Sequence, residues 1–74
     1  MEVDHDRPEL TEREREVMTL VAIGLQNRDM AERLFLSPET VKSHVRNAMT
    51  KLGSKTRAHA VAIALVTGQI PWKA

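Results

Sequence analysis

Few side chains in this sequence could do chemistry, and the most concentrated set lies within Ser37–Gly53, S-P-E-T-V-K-S-H-V-R-N-A-M-T-K-L-G. At ~100° per residue, Glu39, Ser43, Arg46 and Thr50 share one helical face, flanked by Lys42 and Asn47. That face carries two cations, hydroxyls and an amide, and no bulky apolar group. Ammonium and guanidinium groups donate charge-assisted hydrogen bonds, and the amide can donate and accept at once. The arrangement suits a polar, negatively charged surface. The opposite stripe, Val41, Val45, Ala48 and Leu52 with Met49 beside it, is apolar and predicts burial.

Catalysis finds little support in the same inventory. The three histidines, His5, His44 and His59, are far apart, the glycines fall at helix ends, and there is no cysteine. No nucleophile–base pair, metal cluster or phosphate-cradling loop can be assembled from them, and no enzyme, cofactor or metal is expected. His5 between Asp4 and Asp6 reads as part of a solvated tail. The carboxylates of Glu12, Glu14 and Glu16 alternate with Arg13 and Arg15 and read as a solvated outer face.

The elements that must hold the donor-bearing helix are legible from caps and periodicity. Ser37 and Pro38 start it, and Lys51 and Gly53 end it. Thr11 followed by Glu14 is a capping box, with Leu10 at the staple position before it. The first helix runs from there to Gly24 with Val17, Leu20 and Val21 inward, widened by Met18 and Ile23. Asn27 is expected to cap a short second helix, about Arg28 to Leu34, with Met30, Ala31 and Leu34 on its apolar face. The link to the third helix is about three residues, the spacing of a helix-turn-helix, although the usual glycine is absent; a plain helical hairpin is the alternative. A fourth helix, roughly Arg57 to Thr67, closes at Gly68 and is apolar on nearly every side. So small a domain cannot bury such a helix all round, so its excess face is expected to meet another copy or another domain. The alternative is an alanine-rich helix chosen for propensity. Trp72 is expected to cover an edge of the core.

Seventy-four residues make one domain with one small core. The expected limits are an acidic arm or linker end over 1–9, the helical domain over 10–70 and a tail over 71–74. No apolar run approaches the ~18 residues of a membrane span and no signal peptide is evident, so a cytoplasmic protein is expected. The net charge of +1 conceals a division. Residues 1–36 hold nine acids against five Lys/Arg, whereas residues 37–59 hold Lys42, Arg46, Lys51, Lys55 and Arg57 against Glu39 alone. A cationic patch on one helix and its following loop is the footprint of a polyanion partner.

Four blocks carry a resemblance. They are L-T-E-R-E-R-E-V at Leu10–Val17, G-L-Q-N-R-D-M-A-E-R-L at Gly24–Leu34, L-S-P-E-T-V-K-S-H-V at Leu36–Val45 and K-L-G-S-K-T-R-A-H-A-V at Lys51–Val61. In order and spacing they resemble the LuxR-type (NarL/FixJ/GerE-type) DNA-binding domain over about residues 9 to 70. Two positions depart from that pattern: Gln26, where the family often has Ser or Thr, and Ser54, where it often has Val.

The resemblance implies an all-α, compact four-helix bundle containing a helix-turn-helix, with transcription regulation in bacteria as its function. The third helix would read double-stranded DNA, and the fourth would form a homodimer across Ala58, Val61, Ala62 and Leu65. The family's contact positions map onto Lys42, Ser43 and Arg46 for base edges. Thr40, His44, Asn47 and Lys51 map to positions at phosphate or the groove border, and Asn27 and Arg28 lie over the backbone. The side-chain chemistry agrees: Arg46 and Lys42 can donate to guanine O6 and N7, Asn47 can pair with adenine, and Ser43 permits close approach. His44 falls near the buried edge, where packing or one phosphate bond is expected. Lys55 and Arg57 are expected to add attraction without sequence preference. RNA polymerase is a candidate partner; no membrane and no small-molecule ligand are expected. The chain fits either a stand-alone regulator or the C-terminal effector of a response regulator or quorum-sensing regulator. The reading from another class is a helical interaction module, sigma-region-4-like or an adaptor, docking on RNA polymerase or another regulator.

Overall fold

Each helix begins and ends on groups that the local sequence supplies, with one exception. The computed structural model describes residues 9–71, in which four helices follow one another: α1 Glu12–Ala22, α2 Asn27–Leu34, α3 Pro38–Leu52 and α4 Arg57–Val66. Among the described residues there is no strand. Most of the expected acidic arm (residues 1–8), most of the tail (residues 72–74) and the expected role of Trp72 lie outside that range.

The Thr11 hydroxyl accepts from the Glu14 backbone N–H at 3.1 Å, and the Glu14 carboxylate accepts from the Thr11 N–H at 2.9 Å. This reciprocal box satisfies two donors that the first turn of α1 would otherwise leave unpaired. Ser37 caps α3 through the Thr40 N–H at 3.1 Å, with Pro38 at the first helical position. Thr56 caps α4 through the His59 N–H at 3.0 Å.

The exception is α2. Its cap position is Gln26, whose side chain makes no capping bond, and Asn27 is the first helical residue rather than the cap that the sequence predicts. The reason is tertiary: the Asn27 amide oxygen accepts from Arg57 Nη2 at 2.8 Å and is spent on α4.

The helix-turn-helix link closes without glycine. Phe35 takes the left-handed conformation itself, at φ 59° and ψ 45°, and the residue is 93% exposed. The Leu36 N–H then donates to the Ala31 carbonyl at 2.9 Å and terminates α2. A left-handed backbone strains any residue with a Cβ by about 1–2 kcal/mol. The turn therefore carries strain that a glycine would not.

α3 is the common wall of two apolar clusters. Val17, Met30, Ala31, Val41 and Val45 join α1, α2 and α3. Leu10, Met18, Ala48, Ala60, Ala64 and Ile70 join α1, α3 and α4. The expected inner stripe of α3 is thus buried on both sides of its midpoint. α1 departs from expectation twice: Ile23 is 44% exposed at the helix end, and Glu14, read as solvated, is only 4% exposed. Glu14 stands three and four residues before Val17 and Met18, so helical geometry carries it onto the buried stripe. Around α4 the apolar coverage is uneven. Ala60 and Ala64 are buried, Val61 and Leu65 are half-buried against the second cluster, and Ala58, Ala62 and Val66 face outward.

Candidate nucleic-acid interface

Burial of Val41, Val45 and Ala48 leaves α3 one rotational setting. In it Glu39, Lys42, Ser43, Arg46, Asn47 and Thr50 are all exposed. The six residues expected on the outer face are therefore on it. Among the described residues neither Lys42 nor Arg46 is held in an ion pair; the pairs present are Arg13–Glu16, Arg15–Glu9 and Lys51–Glu14. Two cationic donors and an amide accordingly point to solvent from a helix whose start is fixed by its Ser37 cap and whose rotation is fixed by the core.

The remaining expected contacts sit at the border or away from it. Thr40 is half-buried, its hydroxyl 2.9 Å from that of Ser37, so it belongs to the cap. His44 is half-buried at the edge of the inner stripe. Arg28 is exposed in the first turn of α2, whereas Asn27 is half-buried and bound to Arg57. Because Gln26 offers no side-chain cap, the first backbone N–H groups of α2 keep their donor capacity. Lys55 is exposed, and Arg57 is half-buried by its bond to Asn27.

Lys51 has a partner within the chain. Its ammonium lies 2.8 Å from Glu14 Oε1 and 3.5 Å from the Glu9 carbonyl oxygen. The two side chains are 27% and 6% exposed, respectively. Burial pushes the Glu14 pKa up, but hydrogen bonds from Lys51 and Thr11 and the charge of Lys51 outweigh it, and the net shift is downward. Glu14 is the residue that sequence reading missed as part of this face's support. The signal was available in its helical spacing from Val17 and Met18. On the fourth helix, Ala58 and Ala62 are open to solvent while Val61 and Leu65 are partly used by the core, and Val66, 86% exposed, extends the outward apolar face.

Among the described residues no three His, Cys, Asp or Glu side chains come together as metal ligands, and no helix is long and apolar enough to cross a membrane. A groove of about 580 Å³ runs between α1, the end of α2 and residues 68–71, with Leu20, Leu34 and Ile70 in its lining. It includes none of the exposed residues of α3.

Comparison with known proteins places these features in a family context. The sequence profile described as "Bacterial regulatory proteins, luxR family" matches residues 8–64. The spore germination protein GerE of Bacillus subtilis is 44% identical over 64 residues, covering 86% of this chain and 86% of GerE. An uncharacterized transcriptional regulatory protein of the same organism, YxjL, is 45% identical over 58 residues, covering 78% of this chain but 27% of YxjL. The solved structure of the transcription factor GerE superposes with a TM-score of 0.82 at 34% identity, covering 88% of this chain and 97% of that one. The chain thus spans most of one relative and about a quarter of the other.

Proposed function

We propose that this chain, which belongs to the luxR family of bacterial regulatory proteins, regulates transcription by laying α3 in the major groove of double-stranded DNA. The observation that carries this reading is the exposed set Lys42, Ser43, Arg46 and Asn47 on a helix locked in place by two core clusters. The N-terminal half of a recognition helix meets base edges while flanking groups meet the backbone. Arg46 and Lys42 donate to guanine O6 and N7, Asn47 pairs with adenine or borders the groove, and Ser43 lets the helix approach. Thr40 and His44, at the edges of the helix, meet phosphate or pack beside it. Arg28, Asn27 and the uncapped N–H groups of α2 lie over the adjacent backbone, where a helix start favours anions.

Two copies assemble through α4, with Ala58 and Ala62 at the centre, Val61 and Leu65 at the edges and Val66 extending the contact. Small residues allow the helices close approach. A two-fold dimer would read two half-sites, so its operator would be an inverted repeat. The protein works in the cytoplasm, has no catalytic activity and needs no cofactor, and RNA polymerase is a candidate second partner.

Selection of bound DNA from a random pool at two salt concentrations tests this. Enrichment of paired half-sites supports a dimer that reads sequence. Binding without enrichment, lost steeply as salt rises, would limit the chain to backbone attraction. No binding at low salt would favour a protein-docking role.

A further inference from the structure

We infer that Glu14 and Lys51 form a positioning pair that sets the recognition helix against α1, and that Lys51 does not neutralise a DNA phosphate. The inference rests on the reading of α3 as the DNA-reading helix and assigns its last turn a different task.

Three observations carry it. The Lys51 ammonium is already bound, 2.8 Å from Glu14 Oε1 and within reach of the Glu9 carbonyl. The same Oε1 accepts the Thr11 backbone N–H at 2.9 Å, so the carboxylate is built into the cap of α1 and cannot follow Lys51 outward. Glu14 is 4% exposed, and Lys51 is its one ion-pair partner among the described residues. A swing of Lys51 toward phosphate would therefore strand a buried carboxylate, an expensive state. Helical geometry points the same way. At 3.6 residues per turn Lys51 lies roughly 140° round the axis from Arg46 and roughly 180° from Lys42, beside the core stripe.

The consequence is mechanical. The Ser37 cap and the Val41–Val45 packing hold the start of α3, and the Glu14–Lys51 contact holds its end against the first turn of α1. With both ends fixed, the tilt at which Lys42 and Arg46 enter a groove is fixed. Base-edge hydrogen bonds tolerate only small displacements, whereas attraction to the backbone tolerates larger ones. Loss of the pair should therefore weaken sequence reading more than general attraction.

The test uses the full chain with Lys51→Met, Lys51→Arg and Glu14→Gln. Affinities for a selected duplex and a random duplex are read by anisotropy across a salt series, with circular dichroism verifying fold. Lys51→Met should weaken the selected duplex about tenfold and the random duplex less than about twofold, the scale of one misplaced base contact. The salt slope on random DNA should stay as in wild type. Glu14→Gln, which carries the measurement if Lys51→Met unfolds, should reproduce the loss, and Lys51→Arg should restore binding. Equal weakening of both duplexes with a slope reduced by about 0.9 would identify a phosphate contact and overturn the inference. Site preference that survives both Lys51→Met and Glu14→Gln would overturn it as well, leaving the reading of α3 intact. A wild-type chain with no site preference would instead overturn that reading, and the positioning role with it.

Discussion

The Arg57 guanidinium donates to the Asn27 amide oxygen at 2.8 Å, joining the first residue of α4 to the first residue of α2 across 30 positions of sequence. The contact explains why Asn27 does not cap its own helix. It also fixes the start of the helix-turn-helix to the helix proposed to hold the dimer together. Arg57 thus contributes less as a free cation than its place in the basic stretch suggests.

Arg57→Ala should destabilise the domain by about 1 kcal/mol, the usual scale for one partly exposed hydrogen bond to a charged group. Urea unfolding reads the change. Arg57→Lys should recover little of it, because the guanidinium fork that reaches Asn27 is lost. Unaltered stability in Arg57→Ala would show that the contact does not persist in solution.

Arg46→Ala should weaken the preferred duplex by about 1–3 kcal/mol and relax preference at one base pair, with folding stability unchanged. The exposed position of Arg46 makes the two effects separable. Competition binding with single-base variants of the site measures both. If affinity and preference were both untouched, the reading face would have to lie elsewhere.

The two positions where the sequence departs from the family pattern are also two places where polar groups go unserved. Gln26 gives α2 no side-chain cap, and the Ser54 hydroxyl is buried without a partner. Gln26→Ser should add a cap worth about 1 kcal/mol. Ser54→Val should stabilise by a similar amount, since it replaces a buried unpaired hydroxyl with apolar surface. Ser54 is not among the proposed DNA contacts, so DNA affinity serves as the control for Ser54→Val. Gln26→Ser takes up an N–H of α2 proposed to face phosphate, so it is read by stability alone. A Ser54→Val chain with a lowered melting temperature would mean that the hydroxyl is served in solution, for example by water.

Stability should fall in acid through Glu14. Its folded pKa lies below the ordinary glutamate value, because bonds from Lys51 and Thr11 outweigh the upward push of burial. The unfolded chain therefore takes up this proton first as pH drops. The contribution is whole above the ordinary value and is lost as pH falls through the lowered one. Unfolding free energies from neutral pH into acid should show a steeper decline in wild type than in Glu14→Gln. Parallel curves would assign the acid sensitivity to other carboxylates.

Ala62→Glu should shift the dimer–monomer balance toward monomer while leaving the monomer's stability nearly unchanged, because Ala62 is outside both core clusters. Val61→Glu or Leu65→Glu would confuse the two effects, since both residues also pack on the core. Sedimentation across a concentration series distinguishes the cases. An unchanged distribution for Ala62→Glu would remove this face of α4 from the interface.

Local chemistry made much of this protein readable in advance. Thr11 with Glu14, Ser37 with Pro38, and Gly53 mark helix ends through bonds made within a few residues, and the spacing of Val41, Val45 and Ala48 determines which way Lys42 and Arg46 face. Those features depend on neighbours along the chain, so the sequence by itself determined the four helices, the link between α2 and α3 and the outward donor face. What only the tertiary structure decided involves partners far apart in sequence. The spacing of Glu14 from Val17 and Met18 puts it on the buried stripe, but its partner comes from the fold: α3 brings Lys51 to it from 37 residues away. Asn27 gives up its capping role because α4 brings Arg57. Phe35 accepts a left-handed backbone because the packing of α2 and α3 on one cluster demands a sharp link where no glycine stands. A side chain's hydrogen-bonding capacity is legible from its type, but the group that claims it is settled by which helices meet.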